Sequence, residues 1–316
     1  KANIEVGDVI EKINREPVRN RIDKLSTLLS ASNRSVLVHK LGDYATNFIW
    51  FADSAVYRLQ TKKRGAMKQS NVQFVMQTDK AAISRVQQYL DQKNRQNDTI
   101  RGFSILDGSI AYFNIDHISS VLTNVPDVQL DTKIDSILTL AVSQKGIIFD
   151  MRGYPSWGGF VYHYIFKKFG TAGSRFANYY MADRHNPGHF TLDKSSSTYI
   201  PDHVVPQHTP YKGKIYILVN SATQSMSEWN TMNLQHTFPA SITIGEQTAG
   251  ADGDEKSLNL PGNYKIYFTG NAIFYPEGRA AQGKGVKIDK VIPTAIDDII
   301  AGSDTQLDFA VREIRR

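Results

Sequence analysis

The chain has 316 residues, no cysteine, 41% hydrophobic and 22% charged residues, and a formal net charge of +6. The length suggests about two domains of ordinary soluble composition. The missing cysteines exclude disulfides, thiolate catalysis and cysteine-ligated zinc, and no apolar run approaches the roughly 18–20 residues of a membrane span.

Residues 1–101 carry 18 Lys/Arg against 10 Asp/Glu, and the remainder 19 against 21. The densest basic run is Lys62-Lys63-Arg64 with Lys68. It lacks the interleaved aromatics of a base-stacking surface, so it reads as a solvated hairpin and not as a nucleic-acid site. The first residue is Lys1 and no charged-then-apolar leader follows, which reads as a processed or trimmed product.

Residues 1–78 read as a small β-rich unit. Val6 to Asn14 alternates apolar and polar positions, Ile22 to Leu29 has a helical apolar face, and Val56 to Thr61 and Val72 to Met76 alternate as strands. Residues 79–100 are polar and helix-prone and read as a linker. Beyond Arg101, short apolar runs at Ile110–Ile115, Gly146–Met151, Ile215–Val219 and Ile242–Ile244 alternate with helical stretches such as Gly158–Phe169. That pattern predicts an α/β core with a largely parallel sheet over 101–316. A polar insertion at about 170–212 holds Tyr179, Tyr180, His185, His189, His203 and His208. The run from Gly302 to Asp308 followed by Phe309-Ala310-Val311 reads as a capped terminal helix.

The segment most informative for chemistry is Asn220-Ser221-Ala222-Thr223-Gln224-Ser225-Met226-Ser227-Glu228, directly after Ile215–Val219. A strand, a polar break and a helix-opening Ser-x-Ser-Glu place a hydroxyl beside unpaired helix N–H groups, which suits a nucleophile with part of an oxyanion hole. The competing reading is helix capping, with Glu228 reaching back. A shift of two residues would instead present Ser227 to a cleft.

Several segments together resemble the carboxy-terminal processing (tail-specific) serine peptidases, a family that includes the tricorn core protease and the interphotoreceptor retinoid-binding protein. Val6 to Asn14 with Pro17-Val18 resembles the later half of a PDZ domain, truncated at its start. Gly108 to Phe113 resembles the family's first core strand. Ile147 to Pro155 with Gly158-Gly159 resembles its "DLRxNxGG" turn, and Ser225 to Glu228 lies on the nucleophile segment. Ile244 to Gly250 resembles its "GExTxG" turn, and Tyr275 to Arg279 with Gln282 to Val286 its closing stretch.

The resemblance implies a ClpP/crotonase-like α/β core preceded by a partial PDZ-like domain. It implies Ser225 as nucleophile, the Met226 N–H and the Gly158-Gly159 turn as oxyanion donors, and Gln282 as an orienting residue. The family's lysine base would follow Gly250, where this chain has Ala251, so the likeness is to a lysine-lacking branch. The tricorn-type alternative takes its histidine from a segment preceding the PDZ domain, and no histidine precedes His39. Lys256 and His117 are the remaining base candidates within the chain.

His185-x3-His189 is broken by Pro187-Gly188 and lacks a metalloprotease Glu, so no metal and no cofactor is expected. The expected partner is a protein or peptide, bound by its C-terminal tail through strand addition, in an exported protein of a bacterial periplasm or cell envelope. The expected function is a serine endopeptidase acting through a Ser225 acyl-enzyme. The alternative is a weak or inactive relative that binds peptide or an apolar ligand.

Overall fold

The computed structural model describes residues 3–43, 48–50, 56–73, 79–97, 100–183, 185–194, 198–200 and 210–316. The chain divides into two compact units. One comprises Lys1–Ser30, Leu37–Ile100 and Thr294–Thr305; the other comprises Ala31–Val36, Arg101–Pro293 and Gln306–Arg316.

The first unit holds a four-stranded antiparallel sheet of order β2-β1-β3-β4, from β1 (Val9–Ile13), β2 (Glu16–Pro17), β3 (Val56–Lys63) and β4 (Ala66–Gln73). Alternation along β3 turns Tyr57 and Leu59 inward to meet Ile13 in a small core. Helix α1 (Val18–Leu25) begins earlier than the Ile22–Leu29 periodicity predicts. It ends at Leu25 in a 3-10 turn over Ser26–Leu28, and α2 (Arg34–Gly42) follows. Of the expected strand Val72–Met76, only Val72 and Gln73 fall among the described residues.

The basic run forms the β3–β4 hairpin tip, where Lys63 pairs with Glu5 at 2.9 Å and Lys68 with Asp8 at 3.4 Å. The polar stretch after it is a single helix, α3 (Lys80–Asn97). Late in the chain the unit adds α7 (Ile296–Ala301), which closes on Gly302 in the left-handed conformation.

The second unit is an α/β core around a six-stranded mixed sheet. Its strands are β5 (Phe103–Leu106), β6 (Ile110–Asn114), β7 (Gly146–Asp150), β10 (Lys214–Val219), β11 (Ile242–Gly245) and β15 (Lys290–Val291), in the order β15-β11-β10-β7-β6-β5. All neighbours are parallel except β5, an antiparallel edge strand that the sequence pattern did not reveal. Strands β7 and β10 sit centrally and are buried on both faces, which is why they read as unbroken apolar runs.

On one face Phe113, Ile147, Phe149, Ile215, Ile217 and Val219 pack with α4 (Leu130–Val142), which buries Ile134, Ile137, Leu138 and Ala141 at helical spacing. On the other, Ile110, Ile148, Tyr216, Leu218 and Ile244 pack with Ala310 and Ile314 of α8 (Thr305–Arg315). The helix expected over Gly158–Phe169 is a π-helical turn at Val161–Phe166 continued by α5 (Lys167–Phe169).

The insertion supplies β8 (Asn178–Ala182) and β9 (Phe190–Leu192), which join β14 (Asn271–Phe274) in a second, antiparallel sheet. Between β11 and β14 lies a two-stranded ribbon, β12 (Glu255–Leu260) and β13 (Tyr264–Thr269), exposed at every residue. Helix α6 (Met226–Thr237) leaves the carboxyl end of β10, the end at which parallel α/β sheets present their sites.

Candidate active site

The turn between β10 and α6 is held by its own side chains. The Asn220 N–H donates to Thr223 Oγ1 at 3.0 Å, the Ala222 N–H donates to Asn220 Oδ1 at 2.9 Å, and Thr223 Oγ1 donates to the Met151 carbonyl at 2.8 Å. The turn delivers Ser225 at φ 51° and ψ −117°, a left-handed conformation rare outside glycine and one that tertiary contacts must impose. Its hydroxyl makes no capping bond to α6. The capping reading is thus not carried by Ser225, and Glu228, in the first turn of α6, accepts from Thr248, Gly250 and Ala251. Ser227 is fully buried and donates to the Met151 carbonyl at 2.9 Å, so it faces the core.

Ser225 and Met226 open onto a cavity of about 280 Å³, walled also by Tyr179, Trp229, Asp252, Gly253, Asp254 and Ile273. Four separate stretches meet there: the insertion strand β8, the start of α6, the loop leading to the β12–β13 ribbon, and β14. Behind the cavity Glu228 is wholly buried. It accepts from Thr248 Oγ1 at 2.6 Å, the Gly250 N–H at 2.7 Å and the Ala251 N–H at 2.9 Å. Burial nevertheless raises its pKa, with these hydrogen bonds pulling the other way.

Asp252 is 5% exposed, and its Oδ2 has no hydrogen-bond partner among the described residues. Burial, reinforced by the neighbouring Glu228 charge, pushes its carboxyl well above the usual range, so it holds a proton where an exposed aspartate would not. Asp254, half-exposed at the rim, accepts from Lys256 at 2.7 Å and from Tyr179 and Asn271. Proximity to Asp254 adds to burial in raising the Tyr179 pKa.

The glycine turn lies against the start of α6: a Cβ on Gly158 would stand 3.2 Å from Met226 Cγ, and the Gly158 carbonyl accepts from Asn230 Nδ2 at 3.3 Å. Gly159 packs on the His163 ring. Gln282 sits behind the loop, its Nε2 on Thr269 Oγ1 at 3.1 Å and its Oε1 unpartnered among the described residues, 3.2 Å from where a Gly253 Cβ would be.

Lys256, exposed on β12 and outside the cavity lining, spends its charge on Asp254 at the rim. His117 lies in the 3-10 helix after β6, its carbonyl against Gly102, likewise outside that lining. His185 and His189 occupy the exposed β8–β9 turn, and His203 and His208 lie outside the described residues. Among the described residues no three metal-ligating side chains cluster. Sequence reasoning missed Trp229, Asp252, Asp254 and Ile273. For Asp252 a signal existed, an acid directly after Ala251, the position at which the sequence resemblance leads one to expect a lysine.

The family model of peptidase family S41 matches residues 109–292, more than half of the chain. Among curated proteins none matches the sequence. Among solved structures, mature CPAF complexed with lactacystin is similar at a TM-score of 0.62 and 14% identity, covering 99% of this chain and 78% of that one. A putative peptidase from Parabacteroides merdae ATCC 43184 is similar at 0.52 and 19% identity, covering 68% of this chain and 65% of that one. The chain thus spans just under two thirds of the Parabacteroides protein's length. At these identities the structural likeness establishes the fold.

Proposed function

The chain belongs to peptidase family S41, a family of serine peptidases, and on that premise we propose that it is a serine endopeptidase of the C-terminal processing type. The observation that carries this reading is Ser225, whose backbone is held at positive φ and whose hydroxyl is free of any capping bond, open to a cavity at the carboxyl end of β10. Ser225 Oγ attacks the scissile carbonyl, the Met226 N–H and the Gly158-Gly159 turn donate to the oxyanion, and the C–N bond breaks as the departing amine takes up the serine proton. Water then hydrolyses the Ser225 ester, releasing the carboxylic acid and restoring the hydroxyl. Gln282, against the same loop, is the proposed orienting residue. The four-stranded N-terminal unit is read as PDZ-like, taking an extended substrate tail by strand addition. Export to a bacterial envelope completes the proposal. Among the described residues no helix is long and apolar enough to cross a membrane.

One observation favours a second reading. The cavity lining contains neither lysine nor histidine, and its titratable side chains are Tyr179, Asp252 and Asp254. A relative lacking an effective base would bind peptide or an apolar ligand and hydrolyse it weakly or not at all. A fluorophosphonate probe separates the two by intact mass. Labelling that vanishes in Ser225→Ala supports the peptidase, and a failure to label the parent chain supports the binding protein.

A further inference from the structure

We propose that the cavity beside Ser225 is a seat for a cationic nitrogen group, the Lys or Arg side chain of a polypeptide substrate, with Asp252 as its counter-charge. The inference rests on the peptidase reading only in naming substrate as the source of the cation. The cavity is smaller than the ~300–1,000 Å³ of pockets that enclose a whole ligand, and suits a single long side chain. Trp229, Tyr179, Met226 and Ile273 offer apolar and aromatic wall to an alkyl stem, and the ring faces favour a cation.

The charged members of the lining are both acidic. Among the described residues Asp252 Oδ2 lacks a donor. Buried acceptors are almost always satisfied, so one left open in the cavity wall marks a place where the donor comes from outside. A carboxylic side chain of substrate would add a third acid, and an alkyl group would leave that acceptor open.

The charges around Asp252 favour a cation. Lys256, the basic side chain near the rim, is already paired with Asp254. Glu228, in the first turn of α6, offsets the positive end of that helix, which would otherwise oppose a cation at Ser225. In the empty cavity burial and Glu228 keep Asp252 protonated beyond the usual range. An entering cation favours the carboxylate and displaces that proton. Its affinity therefore rises with pH through the Asp252 titration, with Glu228, Asp254 and Tyr179 the other titratable groups facing the loop.

The test uses the full chain with benzamidine and its neutral isostere benzamide, binding being followed by ligand-observed NMR. Benzamidine is expected to bind about tenfold more tightly than benzamide at neutral pH, the scale of one charged hydrogen bond. That preference is expected to disappear in Asp252→Asn and to shrink as pH falls. Unchanged benzamide binding by the variant shows that the cavity has kept its shape. Equal binding of the two compounds by the parent chain, or an undiminished preference in Asp252→Asn, overturns the proposal.

Fluorogenic peptides with Arg or norleucine at the cleaved residue identify the source of the cation. An Arg preference lost in Asp252→Asn assigns the seat to substrate. Equal turnover of both, accelerated by added imidazole, assigns it to a base and overturns the substrate assignment. Benzamidine binding requires no hydrolysis, so its failure is distinct from a failure of fluorophosphonate labelling, which judges the peptidase reading.

Discussion

The turn from Asn220 to Glu228 and the turn from Thr248 to Asp254 line or back the same cavity, yet the first spends its buried polar side chains on neighbours and the second leaves Asp252 open. In the first, Asn220, Thr223, Ser227 and Glu228 all spend their polar atoms on neighbouring backbone or side chains, leaving the Ser225 hydroxyl open. In the second, Glu228 holds Thr248, Gly250 and Ala251, and Asn33 Nδ2 donates to the Thr248 and Ala249 carbonyls at 2.8 Å each. At Asp252 that fastening has a gap: its Oδ2 has no donor among the described residues, whereas Asp254 beyond it accepts from Lys256, Tyr179 and Asn271. Unsatisfied buried polar atoms cost stability, so a fold that retains them has another use for them. Here one of them, Asp252 Oδ2, lies in the wall of the cavity onto which Ser225 opens.

The sharpest break in this comparison is Ser225→Ala. It should abolish fluorophosphonate labelling and lower peptide hydrolysis by at least ~10³-fold, with little change in unfolding midpoint because the hydroxyl makes no capping bond. Next is Glu228→Ala, which unfastens both turns at once. Leaving Thr248, Gly250 and Ala251 without their acceptor should cost about 3–5 kcal/mol in urea-induced unfolding, whereas Glu228→Gln should recover part of that loss.

Ser227→Ala deletes one buried hydrogen bond to Met151. It should cost about 1–2 kcal/mol while labelling of Ser225 persists. Labelling lost with Ser227 but kept without Ser225 would reverse the assignment of the two serines.

The smallest effect is a thermal one. Folded Asp252 holds its proton to higher pH than the unfolded chain does. The parent protein therefore loses stability as pH rises from about 4 through the raised value. Asparagine carries no charge, so Asp252→Asn should raise the melting midpoint at pH 8 and leave it nearly unchanged near pH 4. An equal shift at both pH values would show that Asp252 is not held protonated.

Much of the core was legible because its signals are local. Strands β7 and β10 are unbroken apolar runs, and a parallel strand covered on both faces must be one. The Ser225 turn was legible through the change of pattern after Val219. Strand β5 was not: Phe103–Leu106 is an edge strand of four half-buried residues, too short and too mixed to mark itself. Helix periodicity around Gly158–Phe169 could not distinguish an α-helix from the π-helical turn that forms. Lys256 and His117 stood as the base candidates although neither lines the cavity, because sequence distance says nothing about which side chains reach it.

The sequence by itself determined the alternation of strands and helices, the family motifs in their order, the serine at the strand-to-helix turn and the alanine where a lysine base is expected. These depend on residues close together in the chain, whose spacing and chemistry are visible without coordinates. Only the tertiary structure decided that Ser225 and not Ser227 faces the cavity, and that its backbone is left-handed. It also brought Tyr179 and Ile273 from β8 and β14 to the cavity wall, and left Asp252 buried there without a donor. Those outcomes depend on which distant segments pack together, and on the desolvation that packing imposes on a carboxyl group.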